Sequence, residues 1–509
     1  MELHLIGHDY KYAVEQSLLT LFPGNKPEYP EKPGKGDRII VRCSRGDVWT
    51  SMTTTIHKDG KRGAGMARVK TALLTDEPFV TDRHLQRLVR QSFYKAALDW
   101  GVIAPEWGAL TGVRPTKLMT NIMREGVSDK TAAARFREKY FTSQARADLC
   151  VQTAHYSMDA EDALPEKGVC LYVGIPFCPT RCAYCSFVSH SVEKSMKLVA
   201  PFFDALMEEI DATAQQVNKL GLVPVSVYMG GGTPTTLSAK QLDQLLTKLE
   251  TVFDLSHVTE NTVEAGRPDT ITMDKLHVLK AHGVSRISVN PQTMTDSVLE
   301  AIGRKHTASD ILDAFRMVRE VGGMAINMDL IAGLPTDTPE SFRATMDTVM
   351  ELAPENITVH TLSLKKGARL MDEGGDIPTP ASVKEMVDYA HAKLAEGGYV
   401  PYYLYRQKNM SGGFENTGWT KPGYENIYNI CIMEELCSII AMGAGGSTKL
   451  VRPNGKIERV FAPKYPNEYI SNLAKTCSDK SKIGEFYGIS AEESQSESAV
   501  ESDEVSEGM

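Results

Sequence analysis

The sequence predicts an α/β protein centred on a partial (β/α)6 barrel, with an α+β N-terminal domain and a smaller C-terminal region. Three observations carry that expectation. Between about residues 168 and 362, six short apolar strands alternate with amphipathic helical stretches, the pattern of parallel βα units. Before that block, β-branched runs are followed by helical apolar spacing. After it come one more helical stretch, an aromatic strand and two glycine-rich loops. The boundaries read as residues 1–165, 166–375 and 376–478, with an acidic tail at 479–509.

In the first part, GDRIIVRCS and DVWTSMTTTIHKDGKR are β-branched around a KDGK turn, so a hairpin is expected near Asp59-Gly60. Residues from about His84 to Met158 read mostly as helix, and Pro115 suits a first helical turn. The six strands are expected at Val169–Ile175, Val225–Met229, Thr262–Ala265, Ser285–Asn290, Ala325–Ile331 and Ile357–Leu362. Helices are expected at Met196–Leu220, Gln241–Phe253, Asp310–Val321 and Pro339–Leu352. Right-handed crossovers curl such units into a partial barrel or an open sheet. Chemistry in such folds collects on loops at the C-terminal ends of the strands. In the last region Tyr402–Arg406 reads as a strand.

Composition excludes several classes. With 42% hydrophobic and 24% charged residues, the chain is neither disordered throughout nor collagen-like. Nine cysteines in 509 residues are too few for a disulfide framework. No run approaches about 18 uncharged apolar residues, so no membrane span is expected. The start, MELHLIGHDYKYAVEQ, does not read as a secretory signal, and the expected compartment is the cytoplasm. Of the net charge of −9, residues 490–509 carry −7 from seven acids and no Lys or Arg, the composition of a solvated disordered tail. Residues 58–147 hold 17 Lys or Arg against 9 Asp or Glu, a net +8. That reads as a solvated helical surface; an anionic ligand or RNA is the rival reading, and nucleic acid is not the expected partner.

Directly after the first strand of the block, Cys178, Cys182 and Cys185 stand in the spacing C-x3-C-x2-C. Thiolates are soft ligands for iron–sulfur clusters or zinc. Three in one tight loop suit a four-iron cubane with one iron left open, and a Cys3His zinc site completed by His190 is the rival. The other six cysteines read as ordinary packing residues. The second strand ends in Gly230-Gly231-Gly232-Thr233-Pro234, which lets a backbone approach something closely. Glu264 closes the third strand, Gln292 follows the fourth and Asp329 lies near the end of the fifth, polar groups where apolar ones would pack. Arg304 and His306 follow the fourth strand's loop.

CPTRCAYC resembles the cluster loop of radical S-adenosylmethionine enzymes. With GGGTPT, the Glu264 strand, RISVNPQ, IGRKH and NMDLIAGLP, it resembles the oxygen-independent coproporphyrinogen III oxidase family over about residues 168–370. LTGVRPTKL, YYLYRQKNMSGGFEN, NIYNICIMEE and GAGGSTKLV extend the likeness, in that family's coproporphyrinogen dehydrogenase-like branch, to nearly the whole chain except the tail. The resemblance implies a barrel of the radical S-adenosylmethionine type in which Cys178, Cys182 and Cys185 ligate a 4Fe–4S cluster. It implies that Tyr172, Gly231 and Glu264 hold S-adenosylmethionine. Tyr184, Gly232, Thr233, Gln292, Arg304 and Asp329 match positions that hold a second molecule in the decarboxylating oxidase. The implied activity is radical oxidative decarboxylation of coproporphyrinogen III to protoporphyrinogen IX, in haem biosynthesis, with an electron-donor protein as partner. Propionates of such a tetrapyrrole want Arg or Lys partners, and Arg114, Lys117, Arg406 and Lys408 are candidates by chemistry. The sequence departs from the oxidase where Ser186-Phe187 follow Cys185 in place of Gly-Cys, and where Tyr184 replaces a phenylalanine. CAYCSF is closer to the haem-trafficking relatives, so a haem-binding protein that retains the cluster, or a radical enzyme for another tetrapyrrole, is the alternative.

Overall fold

The computed structural model describes residues 1–30, 34, 36–75, 77–112, 114–186, 190–191, 195–365, 367–407, 410–452 and 455–488. The chain divides into two compact units, Met1–Val151 and a second beginning at Gln152.

In the first unit β1 (Glu2–Ile6), β2 (Arg38–Arg45), β3 (Trp49–Lys58) and β4 (Lys61–Lys70) lie in that order in one sheet, β1 parallel to β2 and the rest antiparallel. The expected hairpin turns at Asp59 and Gly60, with φ of 49° and 73°, the paired positive angles that match the twist of the strands. Helices α1 (Lys11–Leu21) and α2 (Pro78–Trp100) pack Val14, Leu18, Leu88, Val89 and Phe93 against Ile39, Val41, Met52 and Ile56. Alternate strand positions thus point to one apolar face. α3 (Pro115–Met123) starts on the expected proline, and α4 (Asp129–Tyr140) is capped by Ser128. α5 (Gln144–Ala163) carries the chain into the second unit.

The second unit opens with β5 (Gly168–Ile175) and the short pair β6 (Phe177–Cys178) and β7 (His190–Ser191). The strands β8 (Val223–Gly231), β9 (Glu260–Glu264), β10 (Arg286–Ser288), β11 (Ala325–Ala332) and β12 (Asn356–Thr361) follow. With β5 they make six adjacent parallel strands. The long crossovers hold α6 (Val199–Leu220), α7 (Ala239–Val252), α8 (Met273–Ala281), α9 (Asp296–Ala301), α10 (Ala308–Val321) and α11 (Pro339–Leu352). Leu171, Val173, Val227, Val263, Ile287, Ile326 and Val359 are buried, as strands covered on their faces require. The starts of α7, α10 and α11 are fixed by capping boxes at Ser238–Gln241, Thr307–Asp310 and Thr338–Ser341.

Residues after 376 extend the same sheet at both edges. α12 (Arg369–Glu373) and α13 (Pro380–Glu396) lead to β13 (Val400–Tyr405) and β14 (Asn416–Thr420), with β14 antiparallel to both β12 and β13. After α14 (Ile427–Glu434), β15 (Ser438–Gly443) returns to lie parallel to β5, and β16 (Ser447–Val451) and β17 (Ile457–Phe461) continue that edge. Among the described residues no pairing joins β13 to β17, so the six parallel strands sit inside an open eleven-stranded order.

The expected tail boundary at 479 is corrected. Past α15 (Pro466–Ser471) and α16 (Leu473–Ser478), Ile483 and Phe486 are buried, and Lys480 Nζ lies 2.6 Å from Glu209 Oε1. Composition over a long window hid these apolar anchors beside the acids. The acidic segment 490–509, together with Phe187 and Lys408, lies outside the described residues. Among the described residues no helix is long and apolar enough to cross a membrane.

Candidate functional site

The strand-end polar residues converge on a cavity of about 290 Å³. Cys178, Cys182, Cys185, Tyr184, Gly231, Gly232, Thr233, Glu264, Gln292, Arg304 and Asp329 all line it. Tyr172 stands one step behind: a methyl group at Gly231 would lie 3.4 Å from its hydroxyl.

The cysteine loop is pinned from several sides. Cys178 closes β6, and Thr233 Oγ1 donates to its sulfur at 3.4 Å. Arg267 Nη1 lies 3.8 Å from Cys182 Sγ and also donates to Thr180, at 3.3 Å to the carbonyl and 3.1 Å to Oγ1. The amide of Ala183 donates to Ile302 O at 2.9 Å, and Leu370 N donates to Ala183 O at 3.0 Å. Neighbouring strand-end loops therefore hold the segment between the second and third thiols. The glycine run makes room for the loop. A Cβ on Gly232 would meet Phe177 O at 2.4 Å and Ile175 O at 2.8 Å, both backbone, and Gly231 has φ of 102°.

Glu264 ends β9 and accepts from Tyr228 Oη at 2.5 Å. Burial pushes its carboxyl up to about 7; Tyr228 and the Gly231 amide pull the other way, and nearby Asp329 adds to the rise. Burial would also raise Asp329, but His360, Asn327 and Thr358 outweigh it and hold that carboxyl below its ordinary value. Asn327 Nδ2 donates to Asp329 at 2.8 Å, and His360 Nε2 stands 3.8 Å away. Two carboxyls in one cavity are thus driven apart, Glu264 towards the protonated form and Asp329 towards the ionised one. Gln292 takes φ of 67°, and its backbone bridges to β11, its N–H donating to Asp329 O at 2.9 Å and its carbonyl accepting from Ile331 N at 3.0 Å. A non-glycine residue held there is strained backbone at a cavity wall. Arg304 donates to Asn290 O at 2.6 Å and to Tyr184 Oη at 3.2 Å. Burial would lower Arg304, but Tyr184 and Cys182 reverse this and raise it, so it is a fixed cation beside the loop. Its neighbour His306 is pushed down to about 3 by burial, then by Arg304 and Arg267, and stays neutral.

None of the four chemical candidates for propionate partners is among the described residues that line this cavity. Arg114 and Lys117 belong to the first unit, Arg406 is buried and donates to Gly413 O at 2.8 Å, and Lys408 lies outside the described residues. The cavity's cations are Arg267, Arg304 and Lys365 among the described residues. Lys365, like Arg267, Asn290, His360, Tyr405, Gln407 and Asn416, lines the cavity without having been singled out in the sequence. Arg267 follows Glu264 by three residues on a strand-end loop, a signal position alone offered. Tyr405 and Asn416 come from β13 and β14, antiparallel strands outside the βα period.

The thiols fit a cluster better than one ion. Among the described residues only Cys170, Cys431 and Cys437 bring three ligand atoms within 4.8 Å of one another, so the loop's sulfurs stand wider apart than the shell of a single zinc, where sulfurs about 2.3 Å from the metal lie closer together. Thr233, Arg267 and Arg304 supply donors and positive charge beside thiolates. The glycine turn leaves backbone facing the same space. A cluster on three thiols with a polar cosubstrate beside it matches this donor set.

A family model described as the Radical SAM superfamily matches residues 172–349. The oxygen-independent coproporphyrinogen-III oxidase-like protein HemZ of Bacillus subtilis is 38% identical over 386 residues, covering 75% of this chain and 77% of that protein. The heme chaperone HemW of Bacillus subtilis is 31% identical over 260 residues, covering 50% of this chain and 67% of that protein. Among solved structures, coproporphyrinogen III oxidase (HemN) from Escherichia coli has the same fold, with a TM-score of 0.50 at 24% identity over 64% of this chain and 73% of that one.

Proposed function

The chain belongs to the oxygen-independent coproporphyrinogen-III oxidase-like family of radical S-adenosylmethionine proteins, with a 4Fe–4S cluster and S-adenosylmethionine as cofactors, and from that premise we propose that it is a coproporphyrinogen III dehydrogenase. Each of two propionates would lose carbon dioxide and a hydrogen and become a vinyl group, giving protoporphyrinogen IX. The observation that carries this reading is the convergence of three thiols, a glycine turn and strand-end polar groups on one cavity.

When bound, the cluster and S-adenosylmethionine supply a one-electron cleavage whose carbon radical takes hydrogen from an unactivated C–H bond. Cys178, Cys182 and Cys185 hold the cluster, and Thr233 and Arg267 offset its charge through the sulfurs they face. Glu264 receives the cosubstrate's ammonium, with Tyr228 and Tyr172 setting that wall. Gly231 and Gly232 offer backbone at close approach. Tyr184, Gly232, Thr233, Gln292, Arg304 and Asp329 line the same cavity and would hold a second cosubstrate molecule. Arg267 and Arg304 are engaged by the loop. Lys365, whose ammonium makes no hydrogen bond or ion pair among the described residues, is therefore the cation best placed to receive a propionate. The reaction requires a low-potential one-electron donor to start it and a one-electron acceptor for the electron left behind when carbon dioxide departs.

A second reading is a haem-binding protein that keeps the cluster, favoured by Ser186 after the third cysteine and by the likeness to heme chaperones. The experiment is oxygen-free: reconstitute the cluster, add S-adenosylmethionine, a low-potential reductant and coproporphyrinogen III, and look for vinyl products by mass spectrometry. Vinyl products that vanish in Cys182→Ala support the dehydrogenase. Tight haem binding with cosubstrate cleavage but no vinyl product supports the second reading.

A further inference from the structure

Three cysteines outside the cavity come together from distant parts of the second unit. Cys170 on β5, Cys431 on α14 and Cys437 just before β15 bring their sulfurs within 4.8 Å of one another, and Cys170 Sγ lies 3.6 Å from Cys437 Sγ. Their exposures are 0%, 0% and 8%. Val225, Tyr428 and Ile439 enclose them.

A fourth polar group stands beside them. Ser226, on β8, is the register partner of Cys170 and is fully buried, and its Oγ has no hydrogen-bond partner among the described residues. A buried hydroxyl left unpaired costs about 1–3 kcal/mol, so such a group calls for an explanation. We propose that Cys170, Cys431 and Cys437, with the Ser226 hydroxyl as fourth donor, form a zinc site separate from the cluster loop.

The donor chemistry carries it. Three soft thiolates and one oxygen suit a tetrahedral d10 cation, and sulfurs about 2.3 Å from zinc stand close to the separations seen here. Binding Zn2+ displaces three thiol protons and leaves the site at −1, with no change in oxidation state.

The site joins β5, α14 and β15, the junction by which the last parallel strand reaches the sheet. It also lies under Tyr428, whose ring stacks 4.2 Å from Tyr228, the tyrosine that donates to Glu264. Zinc here would fix the floor of the cavity without touching its contents.

The test uses the full chain, purified without oxygen and reconstituted, with metal analysis and X-ray absorption at the zinc edge. The expected result is about one zinc per chain beside roughly four irons, with about three sulfurs near 2.3 Å and one oxygen. Cys431→Ser is expected to lose the zinc and keep the iron; Cys182→Ala is expected to lose iron and keep zinc. The absorption shell of the unmodified protein decides the matter even if Cys431→Ser fails to fold. No retained zinc after one equivalent and dialysis, a shell of nitrogen and oxygen alone, or a Cys170–Cys437 disulfide in oxygen-free protein would overturn the proposal.

Discussion

Glu264 shows how one residue carries both stability and binding. Its carboxyl ordinarily titrates at 4.5 and in the fold at about 7, so the folded chain holds the proton more tightly. Glu264 therefore stabilises the fold below about pH 4.5, and that contribution is lost as pH rises through about 7. The carboxylate that would meet an ammonium forms over the same interval. S-adenosylmethionine affinity, measured by oxygen-free calorimetry, is expected to rise about tenfold between pH 6 and 8, and in Glu264→Gln to be flat and at least tenfold weaker at pH 8. Lys365→Met is expected to raise KM for the tetrapyrrole about tenfold while leaving substrate-free cosubstrate cleavage unchanged, because its ammonium is a binding group only. Gly232→Ala should cost about 1–3 kcal/mol in thermal denaturation and lower reconstituted iron, since the new methyl meets the Phe177 and Ile175 carbonyls. The cysteines, glycines and strand-end acids were legible because their residue types are costly in a core without a purpose. Lys365 and His360 were not, since neither spacing nor composition separates a cavity-facing Lys or His from a solvated one.

Among elements, the six strands were readable from apolar runs: Ala325–Ile331 was expected and Ala325–Ala332 is found, and Pro339–Leu352 is the helix expected. The fourth strand came out shorter, Arg286–Ser288 against an expected Ser285–Asn290, because Asn290 turns out to serve the cavity wall and accepts from Arg304. Beneath these strands lies a buried polar network invisible to periodicity. Arg286 Nη2 reaches Glu260 at 3.4 Å, Tyr424 O at 3.0 Å and Glu425 O at 3.3 Å, and its Nη1 donates to Asn356. Glu260 also accepts from Ile427 N at 3.1 Å, at the start of α14. The pair thus ties the 424–427 turn to the strands β9 and β10. Arg286→Met would leave Glu260 buried without its cation, and a loss of about 3–5 kcal/mol is expected in oxygen-free chemical denaturation. A loss below about 1 kcal/mol would show that the turn is held by its backbone bonds alone.

For the whole molecule, the α/β expectation and the partial barrel agree with the parallel sheet found; of the edges, the strand expected at Tyr402–Arg406 is found as β13, while β14 and β15 to β17 escaped the sequence. Strand β15 is a six-residue run that begins 77 residues after β12 ends, and only register with β5 reveals it as a neighbour of the first strand. Residues 1–151 hold a core of their own, from Leu3 to Ala109, so a fragment of residues 1–163 is expected to unfold cooperatively by circular dichroism. A structureless fragment would show that this core depends on the rest of the chain. On the proposed function, the cavity directs a carbon radical onto a propionate. The most direct measurement supplies coproporphyrinogen III deuterated on its propionate side chains to the reconstituted protein, then analyses 5′-deoxyadenosine and tetrapyrrole by mass spectrometry. Deuterium in the 5′-deoxyadenosine together with vinyl product is the predicted result; cosubstrate cleavage with no deuterium transferred and the propionates intact would contradict it.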